Sequence, residues 1–273
     1  MTRFAFGMFC ALILAPAHAA GPWDGKWYVD RAASHAVPAS FSLSRARSGA
    51  WTYADGEDGF VFAAPGGVAV ARFRSDVAIT SIRLDQRHFD FVESTFGRET
   101  ARRHMSLSSD GTTLAIHAVD GGADGSTNSS DSVAGRVGAG TGLAGTWVVT
   151  PAHGKRTAAP ANGPAAIAPE LPAVVIYTGA DGVMTWYFPP SGEVIRGKVD
   201  GRRRPITGPL IPSNLTFTWK RAGSSGGVAF SGSFGAHLVG TALEQLSPDG
   251  STLTDTFTVA GATASSVFVM HKK

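Results

Sequence analysis

Between Gly25 and Met270 the apolar residues recur at every second position in short runs, and no window sustains the three-and-four spacing of a helix face. Leu215, Phe217 and Trp219 share one side of such a run, with Thr216 and Thr218 on the other. Leu253, Phe257 and Val259 oppose Thr254, Thr256 and Thr258 in the same way. Side chains alternate across a strand, so the pattern predicts half-buried strands with an apolar inner face and a Thr-rich outer one. Asp255 then points inward between Leu253 and Phe257, where an earlier run has Ile116.

The pattern predicts strands over 25–29, 40–44, 51–54, 59–63, 68–73, 77–84, 88–96, 101–107 and 113–119. A second series falls over 145–150, 173–178, 183–188, 193–199, 214–220, 227–234, 238–246, 252–259 and 265–270. Turn signals such as Asp55-Gly56, Pro65-Gly66-Gly67 and Asp110-Gly111 separate them. Both series open on a Gly-x-Trp, at Gly25-Lys26-Trp27 and Gly145-Thr146-Trp147. Each carries a matching late hairpin, Ser108-Ser109-Asp110-Gly111 and Ser247-Pro248-Asp249-Gly250. One small β architecture is therefore used twice, as an antiparallel barrel or a closed sandwich. Residues 20–120 form the first copy and 143–273 the second. Residues 121–142, rich in Gly, Ser, Asp and Asn, read as a linker or as one hiding a degraded closing strand near 132–137. The Ala/Pro-rich stretch 155–172 reads as a loop special to the second copy.

Composition fits this picture: 34 Gly and 15 Pro among 273 residues fall mostly between the apolar runs. Residues 1–19, with Arg3, an apolar run to Leu14 and Ala17-His18-Ala19, have the layout of a secretory signal peptide cut after Ala19. A periplasmic or secreted mature chain is expected. The only cysteine, Cys10, leaves with the leader, so no disulfide is expected. After leader removal no integral membrane segment is expected. The formal charge of +3 is too small to point to nucleic acid or an anionic membrane as the main partner.

Few residues suggest chemistry. Gly140-x-Gly142-x-x-Gly145 matches a dinucleotide fingerprint but runs into a strand where that motif needs a helix N-terminus. Gly223-Ser224-Ser225-Gly226-Gly227 matches a nucleophile elbow but joins two β runs. His104 and His117 flank the Asp110-Gly111 turn; a loop of Ser108 to Gly111 sets His104 opposite Ala115 and diagonal to His117. With no third ligand in view, no metal is expected there. One of Arg202, Arg203 and Arg204 is free to turn inward behind the Asp200-Gly201 turn. Asp255 needs a partner, because an unpaired carboxylate on an apolar face costs several kcal/mol. No second carboxylate is readable beside it, so no enzyme activity and no cofactor are expected.

The Gly-x-Trp on the first strand of a secreted antiparallel β domain resembles the calycins, the lipocalin and fatty-acid-binding superfamily. The second copy is also similar to small secreted bacterial lipocalin-like domains, in Gly145-Thr146-Trp147, Val199-Asp200-Gly201, Pro205-Ile206-Thr207-Gly208, Leu238-Val239-Gly240-Thr241 and Ser247-Pro248-Asp249-Gly250. The first copy lacks the Pro-Ile-Thr-Gly element. The resemblance implies two tandem antiparallel up-and-down lipocalin-like β-barrels, with Trp27 and Trp147 closing the barrel bases. It also implies a basic side chain, Arg136 or Lys272, packed over the Trp ring. The function it implies is non-catalytic binding of a small, partly apolar or amphipathic molecule. Asp255, Trp186, Phe188, Phe217 and Trp219 are the candidate contacts, in the second barrel. The alternative is a structural module of the cell envelope with filled barrels and a protein partner. A third reading is a barrel enzyme using Asp255 or the histidines.

Overall fold

The computed structural model describes residues 21–55, 58–62, 66–121, 125–150, 154–157, 172–223 and 226–273. The leader with Cys10, most of the 155–172 stretch and Ser224-Ser225 lie outside the described residues. The first ten strands are β1 (Gly25–His35), β2 (Ser40–Arg45), β3 (Trp51–Ala54), β4 (Gly59–Phe62), β5 (Val68–Val70), β6 (Val77–Leu84), β7 (His88–Thr95), β8 (Arg98–Leu107), β9 (Thr113–Gly121) and β10 (Thr127–Val137). They are followed by β11 (Gly145–Thr150), β12 (Gly154–Thr157), β13 (Val174–Thr178), β14 (Met184–Phe188), β15 (Glu193–Gly197), β16 (Arg204–Thr207), β17 (Leu215–Ala222), β18 (Gly227–Phe234), β19 (His237–Leu246), β20 (Thr252–Val259) and β21 (Ser266–Lys272). These strands build two antiparallel barrels, one closed and one nearly closed.

The barrels do not follow the chain-order division into 20–120 and 143–273. The closed barrel runs β1-β13-β14-β15-β16-β17-β18-β19-β20-β21, and the other runs β4-β3-β2-β11-β10-β9-β8-β7-β6-β5. Each Gly-x-Trp strand thus sits in the barrel of the other copy. β1 pairs with β13 and β21, setting Trp27 opposite Val174 and Lys272. β11 pairs with β2 and β10, setting Trp147 opposite Phe41 and Arg136. Residues 36–39 lead the chain from β1 of the closed barrel into β2 of the other.

Residues 121–142 are no simple linker. β10 is a full strand with a ladder on both sides, pairing with β9 along one edge and with β11 and β12 along the other. Its sequence, TNSSDSVAGRV, buries only Ala134, so the apolar alternation that marks other strands is missing. β16 escaped prediction too, because Pro205 lies within it.

The nearly closed barrel leaves a seam between β4 and β5. Arg72 N donates to Gly59 O across it (2.8 Å). Beside it, Asp58 accepts from Gly59 N and Phe73 N and pairs with Arg74 (2.7 Å), whose other nitrogens grip Glu93 (2.8 and 3.0 Å).

Each barrel has its own core. Phe60, Phe62, Ile79, Phe89, Leu114 and Trp147 lie in one, and Trp27, Ile176, Trp186, Phe217, Trp219 and Leu253 in the other. The ends without these basal tryptophans face one another. There the Phe73 ring stacks on the His237 imidazole (centroids 3.6 Å, 7°), Asn214 Nδ2 donates to Phe73 O (2.6 Å), and Ser213 Oγ donates to Asp76 (2.6 Å). The molecule is two barrels set mouth to mouth, with their tryptophan bases outward.

Candidate functional site

The two bases are built alike. Trp27 Nε1 donates to Trp23 O, and Trp147 Nε1 donates to Leu143 O, both at 3.0 Å and both to the residue four positions earlier. Lys272 Nζ lies 4.9 Å from the Trp27 ring centre, and Arg136 Cζ lies 4.3 Å from that of Trp147. Lys272 lies on β21 and Arg136 on β10, the strands that pair directly with the exchanged first strands β1 and β11. Gly25 and Gly145 share a φ of +151°, which favours glycine. A Cβ on Gly25 would also meet the Lys272 side chain at 3.0 Å, and one on Gly145 would overlap the Arg136 guanidinium. Glycine opens the motif because the basic side chain crosses its Cα.

Between the mouths lies a cavity of about 720 Å³. The first barrel contributes Phe41, Tyr53, Met105 and Ile116, with Asp55 and Arg103 among the polar lining. The second barrel covers it with Phe257 and the turn from Val259 to Ser266. Arg103 is held by Asp120 (2.6 Å). Burial pushes the Tyr53 hydroxyl above its usual range, with the Asp55 charge adding to it.

Phe257 connects this cavity with the inner wall of the second barrel. Its ring lies over Gly240, where an added Cβ would come within 2.6 Å of it, so it faces the lumen. The next inward residue along β20 is Asp255, and the register sets Glu244 of β19 directly opposite. Cross-strand partners hold their Cβ atoms about 5 Å apart. Glu244 is 4% exposed, and its Oε2 has no hydrogen-bond partner; neither has Asp255 Oδ1. Burial pushes the Asp255 carboxyl up to about 6. Burial and then the Asp255 charge push Glu244 well above the carboxylate range. A third inward acid, Glu193, faces the lumen opposite Phe188 and is pushed by burial up to about 7.

The sequence-derived candidates fall in this same lumen. Trp186, Phe217 and Trp219 form one ring cluster, with centroids 5.6 Å apart for the two tryptophans and 4.9 Å apart for Phe217 and Trp219. Phe188 sits 6.4 Å from Trp186. The indole nitrogens of Trp186 and Trp219 are buried with no hydrogen-bond partner. Asp255 lies with Glu244 on β20 and β19, separated from Phe217 and Trp219 of β17 by β18. None of these five residues lines the cavity between the mouths.

The expectation that no second carboxylate stands beside Asp255 is corrected by Glu244. The hairpin loop is two residues longer than Ser247 to Gly250, because Ser247 N donates to Thr252 O and Leu246 pairs with Leu253. Counting outward from that loop brings 244 and 255 together. The first hairpin differs from expectation in the same way: Leu107 pairs with Leu114, so His104 opposes His117 rather than Ala115. Each imidazole is tied by Nδ1 to its own carboxylate, Asp90 or Asp131, at 2.7 Å on an outer face. No group of three metal-binding side chains converges among the described residues.

Arg204 is the arginine that turns inward. It covers Gly197 and grips Asp200 through two nitrogens (2.8 and 2.7 Å). Gly140, Gly142 and Gly145 form the turn into β11, whose carbonyls at Gly142 and Ala144 accept from Arg136. No family model matches this chain, and no curated protein is similar to it in sequence.

Proposed function

We propose that this protein is a non-catalytic, calycin-type carrier of a small, partly apolar molecule, working outside the cytoplasm, with its binding site between the two barrel mouths. The observation that carries the reading is the cavity of about 720 Å³ walled by Phe41, Met105, Ile116 and Phe257. Ligand pockets span about 300 to 1,000 Å³, with apolar walls and a few convergent polar groups. Arg103, Asp55 and the Tyr53 hydroxyl supply the polar groups. The secreted location rests on the layout of residues 1–19.

Titration of residues 20–273 with an environment-sensitive naphthalene dye tests this. A saturable rise in emission is expected, weakened at least tenfold in Ile116→Trp, which fills the cavity wall. A folded protein giving no saturable signal overturns the reading. A second reading, an envelope interaction module, draws on a shallow groove of about 420 Å³ on the outer face of the second barrel, lined by Thr218, Lys220, Thr241, Thr256 and Thr258. It requires a partner in crosslinked envelope extracts whose capture is lost in Thr241→Arg and kept in Ile116→Trp.

A further inference from the structure

We propose that Glu244 and Asp255 form the deep end of this site and that its ligand is an amphipathic amine. The apolar body lies between the mouths, and the ammonium group lies in the second lumen against the two carboxylates. The inference rests on the carrier reading and adds the chemical class of the ligand.

Access comes first. The core of the second barrel gathers Trp27, Trp186, Phe217, Trp219, Leu253 and Met270, whereas Phe257 and Phe268 of the same inner wall stand outside it and remain partly accessible. Asp255 is itself partly accessible on this wall, beside Phe257 and Phe268, while Val228 and Leu253 join it to the core. The wall continues through Phe257 into the cavity between the mouths. Asp255 is flanked on this face by Glu244 and Phe268, and Glu244 by Asp255 and Val228.

Charge selects the ligand. Two adjacent buried carboxylates repel one another and lack solvation, so a neighbouring cation or a shared proton is needed. Among the described residues, no basic side chain forms an ion pair with either carboxylate. Arg204 is occupied by Asp200, and Lys272 donates to Pro22 O over the Trp27 ring at the base. Glu193, the remaining inward acid, adds negative charge. The unpartnered indole nitrogens of Trp186 and Trp219 independently mark the lumen as a place where polar atoms await a partner. An ammonium group donates to both carboxylates, and nearby aromatic faces favour a cation.

The experiment is displacement of the naphthalene dye by n-octylamine and by n-octanol, which share a chain and differ in charge. Octylamine is expected to bind at least tenfold more tightly than octanol at pH 7.5. The preference should shrink towards pH 5, because ionised carboxylates hold the cation and protonated ones do not. It should vanish in Glu244→Gln with Asp255→Asn, while octanol binding is kept. Where that double variant fails to fold, Asp255→Asn alone should reduce the preference at least threefold. Equal affinity for the two ligands, or an amine preference that survives these substitutions, overturns the inference and leaves the carrier reading standing. Failure of the dye itself to bind overturns the carrier reading instead.

Discussion

At the scale of single residues, the molecule separates those that set the architecture from those left with unmet chemical needs. Trp27 and Trp147 have satisfied indoles and a cation over each ring, and Gly25 and Gly145 leave room for that cation. Asp255 and Glu244 are the reverse, and their cost is measurable. A carboxyl whose folded pKa is raised holds its proton longer than in the unfolded chain, so stability falls as pH rises from the unfolded value towards the folded one. For Asp255 that window runs from 3.8 to about 6, and Glu244 extends it upward. A shift of that size corresponds to about 3 kcal/mol for Asp255. Urea unfolding of the ligand-free protein should therefore show stability declining between pH 4 and pH 7. Asp255→Asn should flatten the decline, and identical slopes for the two proteins would show that the carboxyl ionises as freely folded as unfolded. Asp255 was visible in sequence because its neighbours alternate so clearly. Glu244 was hidden by a two-residue difference in loop length, which changes the cross-strand partner while keeping the face.

At the scale of elements, the paired hairpins show how one short sequence fixes one turn twice. Ser108 Oγ donates to Asp110 and accepts from Thr113 N; Ser247 Oγ donates to Asp249 and accepts from Thr252 N. Asp110 and Asp249 also accept from the backbone of Thr112 and Ser251. Hydrogen bonds, that from the serine first, hold both carboxyls down to about 2. The stabilisation is present above pH 3.8 and disappears as pH falls through about 2, opposite in sign to that of Asp255. Ser247→Ala should lower the urea midpoint at neutral pH, because the hydrogen bond to Asp249 and the acceptor for Thr252 N are both lost. An unchanged midpoint would mean the Asp249 contacts alone hold the turn. Such turns are legible because Ser, Asp and Gly act locally. β10 is not, since it is a strand by virtue of its neighbours: β9, β11 and β12 supply its hydrogen bonds, and its own residues supply little apolar area.

At the scale of the whole molecule, the exchange of β1 and β11 makes each barrel dependent on the other half of the chain. Fragments 21–138 and 139–273 each contain a Gly-x-Trp strand that natively completes the other's barrel. Mixed after separate purification, they are expected to form a 1:1 complex with cooperative unfolding, read by size-exclusion chromatography and urea denaturation. Two fragments that stay monomeric and unfold as the joined chain does would show that each strand closes its own barrel equally well. The mouth-to-mouth arrangement also decides where a ligand site lies. Neither barrel alone encloses the cavity, whose walls are Phe41, Tyr53, Met105 and Ile116 on one side and Phe257 with the following turn on the other.

By itself, the sequence determined the β class, the duplication, most strand positions and the inward aspect of Asp255. All of these follow from local rules: side chains alternate along a strand, and turn residues act over a few positions. Tertiary structure alone decided which barrel each first strand joins, that Glu244 meets Asp255, that Lys272 covers Trp27 and Arg136 covers Trp147, and that the mouths enclose a cavity. Those outcomes depend on pairings between residues far apart in the chain. Two first strands carrying the same Gly-x-Trp pattern present similar faces to either barrel, so local pattern cannot choose between the slots.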